Sequence, residues 1–130
     1  MRTREQLTEF CEKWLAAWTG NDPALLIEFY DDDAFYSDPA VREGIHGSAL
    51  MLDYFTGLLA ANPDWLWELV ELFPTDDGCT LKWHATIPVG ETVVEEDGVD
   101  IVELDGGKIT RNEVYFDRSR MLRALRKSRE

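Results

Sequence analysis

Asp100 stands inside the apolar run Gly98-Val99-Asp100-Ile101-Val102, at a point where a strand would otherwise hide its side chains from water. Carboxylates are seldom buried without a partner, and a buried one keeps its proton to higher pH, as an acid catalyst must. Asp38, in Ser37-Asp38-Pro39, is the second acid of interest. Before a proline, its carboxylate can bond its own backbone in a turn, so its local setting is compatible with either structure or chemistry. Tyr36 and Tyr54 add two phenols that could donate a proton. His46 and His84 stand far apart, without ligand spacing to each other or to acids, so no metal site and no cofactor are expected. His46 belongs to turn packing and His84 to the polar face of a strand.

These side chains need a frame, and the chain supplies its elements in order. A capping-box pair, Thr3 and Gln6, opens a first helix with Leu7, Phe10, Cys11, Trp14, Leu15 and Trp18 at spacings of three and four. Gly20 is placed to take a left-handed stop, and Asn21-Asp22-Pro23 starts a short second helix through Leu25, Leu26, Phe29 and Tyr30. Asp31 to Asp33 end that helix, and Ala34 to Asp38 reads as a brief strand. After a loop holding His46-Gly47, Ser48 caps a third helix whose face is Leu50, Met51, Tyr54, Phe55, Leu58 and Leu59. The remainder alternates as strands at about 65–73, 79–87, 92–104 and 109–116. Helices first and an antiparallel meander after them predict an α+β fold, a curved, mostly antiparallel sheet wrapped as a cone around three N-terminal helices.

The last hairpin decides which residues accompany Asp100. A two-residue Gly106-Gly107 turn sets Asp100 opposite Glu113, where two carboxylates repel. A three-residue Asp105-Gly106-Gly107 loop sets Leu104 opposite Lys108 and Asp100 opposite Asn112, whose amide can bond the acid. The second register is the expected one, and it groups Asp100, Val102, Asn112, Val114 and Phe116 on one face.

A chain of 130 residues with 45% hydrophobic content allows one domain, placed at 1–117, followed by a basic helix or tail at 118–130. The tail's six cations and one anion give it a net charge of +5, which leaves −18 on the rest of a chain whose total is −13. An acidic body disfavours nucleic acid, and the tail is expected against the protein's own acidic surface or in solvent. No stretch approaches the roughly 20 apolar residues of a membrane span, and MRTREQLTEF lacks the apolar core of a secretory leader. Cys11 and Cys79, without CxxC spacing, read as buried thiols in a reducing compartment, so the expectation is a cytoplasmic protein with no membrane partner.

Trp-x-x-Ala-Trp-x-x-x-Asp from Trp14, Ala-Phe-Tyr-Ser-Asp-Pro from Ala34, Ile-His-Gly from Ile45, Gly98 to Ile109 and Val-Tyr-Phe-Asp from Val114 together resemble the nuclear-transport-factor-2-like superfamily. The nearest branches are the SnoaL-like polyketide cyclases and the ketosteroid isomerases, and the likeness runs from about residue 5 to 117. It implies a cone-shaped α+β barrel around an apolar pocket and a homodimer packed through the outer sheet face. In the isomerase pattern Asp38 matches the general base and Asp100 the protonated acid that stabilises an oxyanion. The isomerase tyrosine falls at Trp14, whose indole N–H is a weaker donor. Glu113-Val114 stand where the epoxide-hydrolase branch has an Arg-Asp pair, so that reading is set aside. Trp14, Trp18, Tyr30, Tyr36, Tyr54 and Phe55, with Asn112, Val114 and Phe116, are the expected pocket residues, suited to a wide, flat aromatic or polycyclic ligand. The resulting expectation is a cofactor-independent cyclase or isomerase acting on an apolar carbonyl compound. The alternative is a non-catalytic ligand-binding or dimerisation module.

Overall fold

A computed structural model describes residues 2–129. Among these residues four helices, α1 (Arg4–Thr19), α2 (Pro23–Ile27), α3 (Ser48–Ala61) and α4 (Ser119–Ser128), accompany six strands. The strands are β1 (Tyr30–Asp38), β2 (Val41–His46), β3 (Leu66–Pro74), β4 (Gly78–Val89), β5 (Thr92–Asp105) and β6 (Lys108–Tyr115). They form one curved, unclosed sheet in the order β2-β1-β6-β5-β4-β3, antiparallel throughout except where β1 runs parallel to β6. This is the cone-shaped α+β architecture that the element order predicts.

The capping box forms as read: the Gln6 N–H donates to Thr3 Oγ1 and the Thr3 N–H to Gln6 Oε1. The α1 stripe then buries Leu7, Cys11, Trp14, Leu15 and Trp18 against the sheet. Asn21, not Gly20, takes the left-handed conformation, with φ +57°. Its side-chain amide explains the choice, since Nδ2 donates to the carbonyls of Leu59 and Asn62 and ties the end of α1 to the end of α3.

Four local expectations are corrected. Helix α2 stops at Ile27, and Tyr30 to Asp33 belong to β1. Pairing with β6 and burial of the Tyr30 ring outweigh the poor strand propensity of three aspartates. The segment before Gly47 is strand β2 rather than a loop. Gly47, not Ser48, is the N-cap of α3, with no side-chain cap bond, and Leu50 lies 61% exposed, off the apolar face.

The last hairpin adopts neither expected register. Gly106 (φ +58°) and Gly107 (φ +83°) form a two-residue turn that pairs Leu104 with Ile109. Thr110 is then an extra residue on β6, because Glu103 pairs with Arg111, and from there Asp100 lies opposite Val114. A two-residue turn alone would have put Glu113 on the inner face; the bulge shifts the parity back. Asp100, Val102, Asn112 and Val114 therefore do share the buried face, as expected, and Glu113 points to the other side.

The basic tail forms α4, which lies on β4 and β5. Met121, Ala124 and Leu125 pack against the core, while Arg120 pairs with buried Glu96 at 2.9 Å. The tail therefore docks through apolar contacts as well as charge, where acidic surface or solvent was expected. Glu130, the last residue of that segment, lies outside the described residues. No described helix is long and apolar enough to cross a membrane.

Candidate active site

Asp38 ends β1 and turns the chain into β2. Its Oδ1 accepts the N–H groups of Ala40 (2.8 Å) and Val41 (3.1 Å), the turn that Asp-Pro predicts. Its Oδ2 accepts the hydroxyls of Tyr36 and Tyr54, both at 2.8 Å. A carboxylate has about four lone-pair sites, so all are taken, and the geometry is that of an ionised group. Burial, together with the charge and hydrogen bond of Asp38, pushes both tyrosine hydroxyls up, so they stay protonated donors.

Asp100 is held differently. Oδ1 accepts the Trp83 indole N–H at 2.7 Å and Oδ2 the Asn112 amide at 2.8 Å. Asn112 sits diagonally across the strand pair, opposite Val102, yet reaches the acid. Trp83 can lie along β5 because its cross-strand partner is Gly98, where an added Cβ would come within 2.3 Å of the indole. Behind Asn112 a relay continues inward: Trp14 Nε1 donates to Tyr30 Oη at 3.2 Å, and that hydroxyl donates to Asn112 Oδ1 at 2.8 Å. Burial pushes the Asp100 carboxyl up to about 7 despite its two donors, with the charge of Asp38 adding to the push.

Both acids open on one apolar cavity of about 90 Å³. That volume is small against the roughly 300–1,000 Å³ of pockets for drug-sized ligands, so it suits one ring better than the expected polycycle. Of the residues placed there from the sequence, Trp18, Tyr36, Tyr54, Val114 and Phe116 line it beside the two acids. Trp14, Tyr30, Phe55 and Asn112 do not; they lie behind the wall, three of them as the relay and Phe55 as packing against Trp18 at 4.9 Å. The indole at the isomerase-tyrosine position thus serves another phenol and not the cavity.

Sequence reasoning missed part of the wall. Trp65, Trp67 and Trp83 line it, with Trp67 and Trp83 edge to face at 4.5 Å. The inward alternation of Trp67 on β3 and Trp83 on β4, with Trp65 two positions before Trp67, was the available signal. The Trp67 indole N–H is buried without a partner. Arg118 and Met121 also line the cavity, contributed by a tail that had been assigned to the surface. His46 packs beside Phe35 at 4.9 Å, and His84 bonds Asp97 and Glu95 on the outer face; neither lines the cavity. Among the described residues no cluster of His, Cys, Asp and Glu fits a metal ion.

An unclosed conical sheet around helices, with two acids at a single apolar cavity, defines a member of the nuclear-transport-factor-2-like class. Residues 11–112 match the model of the SnoaL-like domain, and the chain belongs to that family. Similar solved structures include a protein from Shewanella putrefaciens named for the SnoaL-like polyketide cyclases. It is 17% identical, with 94% of this chain and 86% of that chain covered and a TM-score of 0.80. A hypothetical protein from Catenulispora acidiphila with a ketosteroid isomerase-like fold is 21% identical, with 90% and 92% covered and a TM-score of 0.80. The epoxide hydrolase/cyclase-like enzyme SalBIII of salinomycin pyran ring formation is 21% identical, with 90% and 95% covered and a TM-score of 0.76. At these identities the likeness is one of fold. No curated protein sequence matches the chain.

Proposed function

We propose that the chain is a small cofactor-independent enzyme of cyclase or isomerase type, performing acid–base chemistry on an apolar carbonyl compound. The observation that carries this reading is that Asp38 and Asp100 face one cavity in opposite protonation settings. Asp38 takes a proton from the carbon beside the carbonyl. Protonated Asp100 donates a hydrogen bond to the carbonyl oxygen as it becomes an enolate. Return of the proton to another carbon completes an isomerisation; attack of the enolate carbon on a second carbonyl completes a ring closure. Because the lone pairs of Asp38 are filled, one donor must release it first, and half-buried Tyr54 is freer to do so than fully buried Tyr36.

Deuterium exchange at the carbon beside the carbonyl in a panel of small aryl ketones, followed by NMR, tests the proposal. Asp38→Asn and Asp100→Asn should each slow exchange by about 100-fold or more. Equal rates in the wild type and both variants would overturn it. A second reading, a ligand-holding module with both acids structural, is favoured by the four donors on Asp38. Under it, ligands bind and no exchange is catalysed. A homodimer through the outer sheet face belongs to either proposal. The unbonded thiols of Cys11 and Cys79, 3.7 Å apart, support a reducing, cytoplasmic setting.

A further inference from the structure

Among the described residues Arg118 is the one cation on the cavity wall, among aromatic rings, aliphatic side chains and two carboxyl groups. Among the described residues two arginines pair with carboxylates, Arg111 with Glu103 and Glu113, and Arg120, two positions on, with Glu96. Arg118 does not: among the described residues it forms no ion pair and donates no side-chain hydrogen bond. Neither nearby acid holds it. Asp38 is filled by Tyr36, Tyr54 and two backbone N–H groups, and neighbouring Asp117 accepts the N–H of Ser119 at 2.9 Å. The guanidinium is nevertheless close enough to the Tyr54 hydroxyl to oppose the upward push that burial and Asp38 exert on it.

Arg118 is half-buried where β6 passes into α4, so it stands at the edge of the cavity beside the helix that covers it. An arginine without a protein partner in this position offers a planar pair of N–H donors to an oxyanion. We infer that Arg118 selects substrates carrying a carboxylate, which binds at the cavity edge while the ring and the reacting carbonyl lie inward, between Asp38 and Asp100. The inference rests on the cavity being the substrate site and names the substrate class as an aryl oxo acid. It also accounts for a single positive charge on a wall with two acids. The chain's net charge of −13 disfavours anions near its acidic body, and the segment of net charge +5 that begins at Arg118 offsets this at the cavity edge.

The test reads binding and not turnover, so its failure is distinct from failure of the acid–base mechanism. Homologous pairs of aryl acids and their amides, from benzoate and benzamide to 4-phenylbutanoate and 4-phenylbutanamide, are titrated against the full chain. The indole N–H resonances of Trp67 and Trp83 report occupancy by NMR. For at least one pair, the wild type should bind the acid about tenfold more tightly than the amide. Arg118→Gln should erase that preference, Arg118→Lys should keep part of it, and Arg123→Gln, which removes an exposed cation of α4 away from the cavity wall, should leave it in place. No preference for the acid in any pair, or a preference that survives Arg118→Gln, overturns the inference.

Discussion

Asp100 is stable in its place only because two donors meet it, and those donors hold it less firmly than burial disturbs it. The Trp83 and Asn112 bonds favour the carboxylate, burial favours the acid, and burial wins, moving the carboxyl from 3.8 to about 7. The sign of the consequence follows from linkage. Between these values the folded chain binds more protons at Asp100 than the unfolded chain, so this group's contribution to stability is full below the lower value and is lost as pH rises to about 7. A shift of that size corresponds to about 4 kcal/mol. Asp100→Asn removes the titration, at the cost of facing one amide N–H toward the donors of Trp83 or Asn112. Urea unfolding of both proteins across this pH range should show the wild type losing stability relative to the variant as pH rises. A parallel pair of curves would refute the assignment. At this scale the sequence was readable in part. An acid in an apolar run announced Asp100, and Asn112 was found as its partner by parity. Trp83 was not, because nothing in a single strand tells which of several inward tryptophans lies over a glycine on the next one.

Elements were more legible where a local signal agreed with the tertiary demand, as in the α1 capping box and the alternation of β4, and less so where packing overrode it. Tyr30-Asp31-Asp32-Asp33 has little strand character, yet the buried Tyr30 ring and the β6 edge draw it into β1. The bulge at Thr110 was invisible, since any residue can be the extra one, but the need for a one-residue shift could be argued from the like charges of Asp100 and Glu113. The tail was misjudged for a different reason. Its charge is conspicuous and its apolar stripe, Met121, Ala124 and Leu125, is short. Because that stripe packs on the core and Met121 lines the cavity, truncation after Asp117 should do two things. It should lower the melting temperature by about 5 °C or more, from the loss of three half-buried apolar side chains. It should also increase iodide quenching of the cavity tryptophans. An unchanged melting temperature and unchanged quenching would mean that α4 does not cover the cavity.

Taken as a whole, the molecule sets an apolar face against a large net charge. On the outer face of the sheet Leu66, Val70, Phe73, Val93, Val99 and Tyr115 are each 37% or more exposed, around the polar group of His84, Glu95 and Asp97. The proposed homodimer would bury this face, while two bodies of charge −13 repel. The repulsion is long-ranged and acts through solvent, so salt screens it with a length of about 8 Å at physiological ionic strength, whereas apolar burial is not screened. Association should therefore tighten as salt rises, the reverse of an interface built on opposite charges. Sedimentation or light scattering over a salt series should show a growing dimer fraction. Tyr115→Glu, which sets a charge in the patch, should weaken the dimer by about tenfold or more while leaving the cavity's ligand affinity unchanged. A chain that stays monomeric at every salt concentration, or a dimer indifferent to Tyr115→Glu, would place the contact elsewhere or remove it.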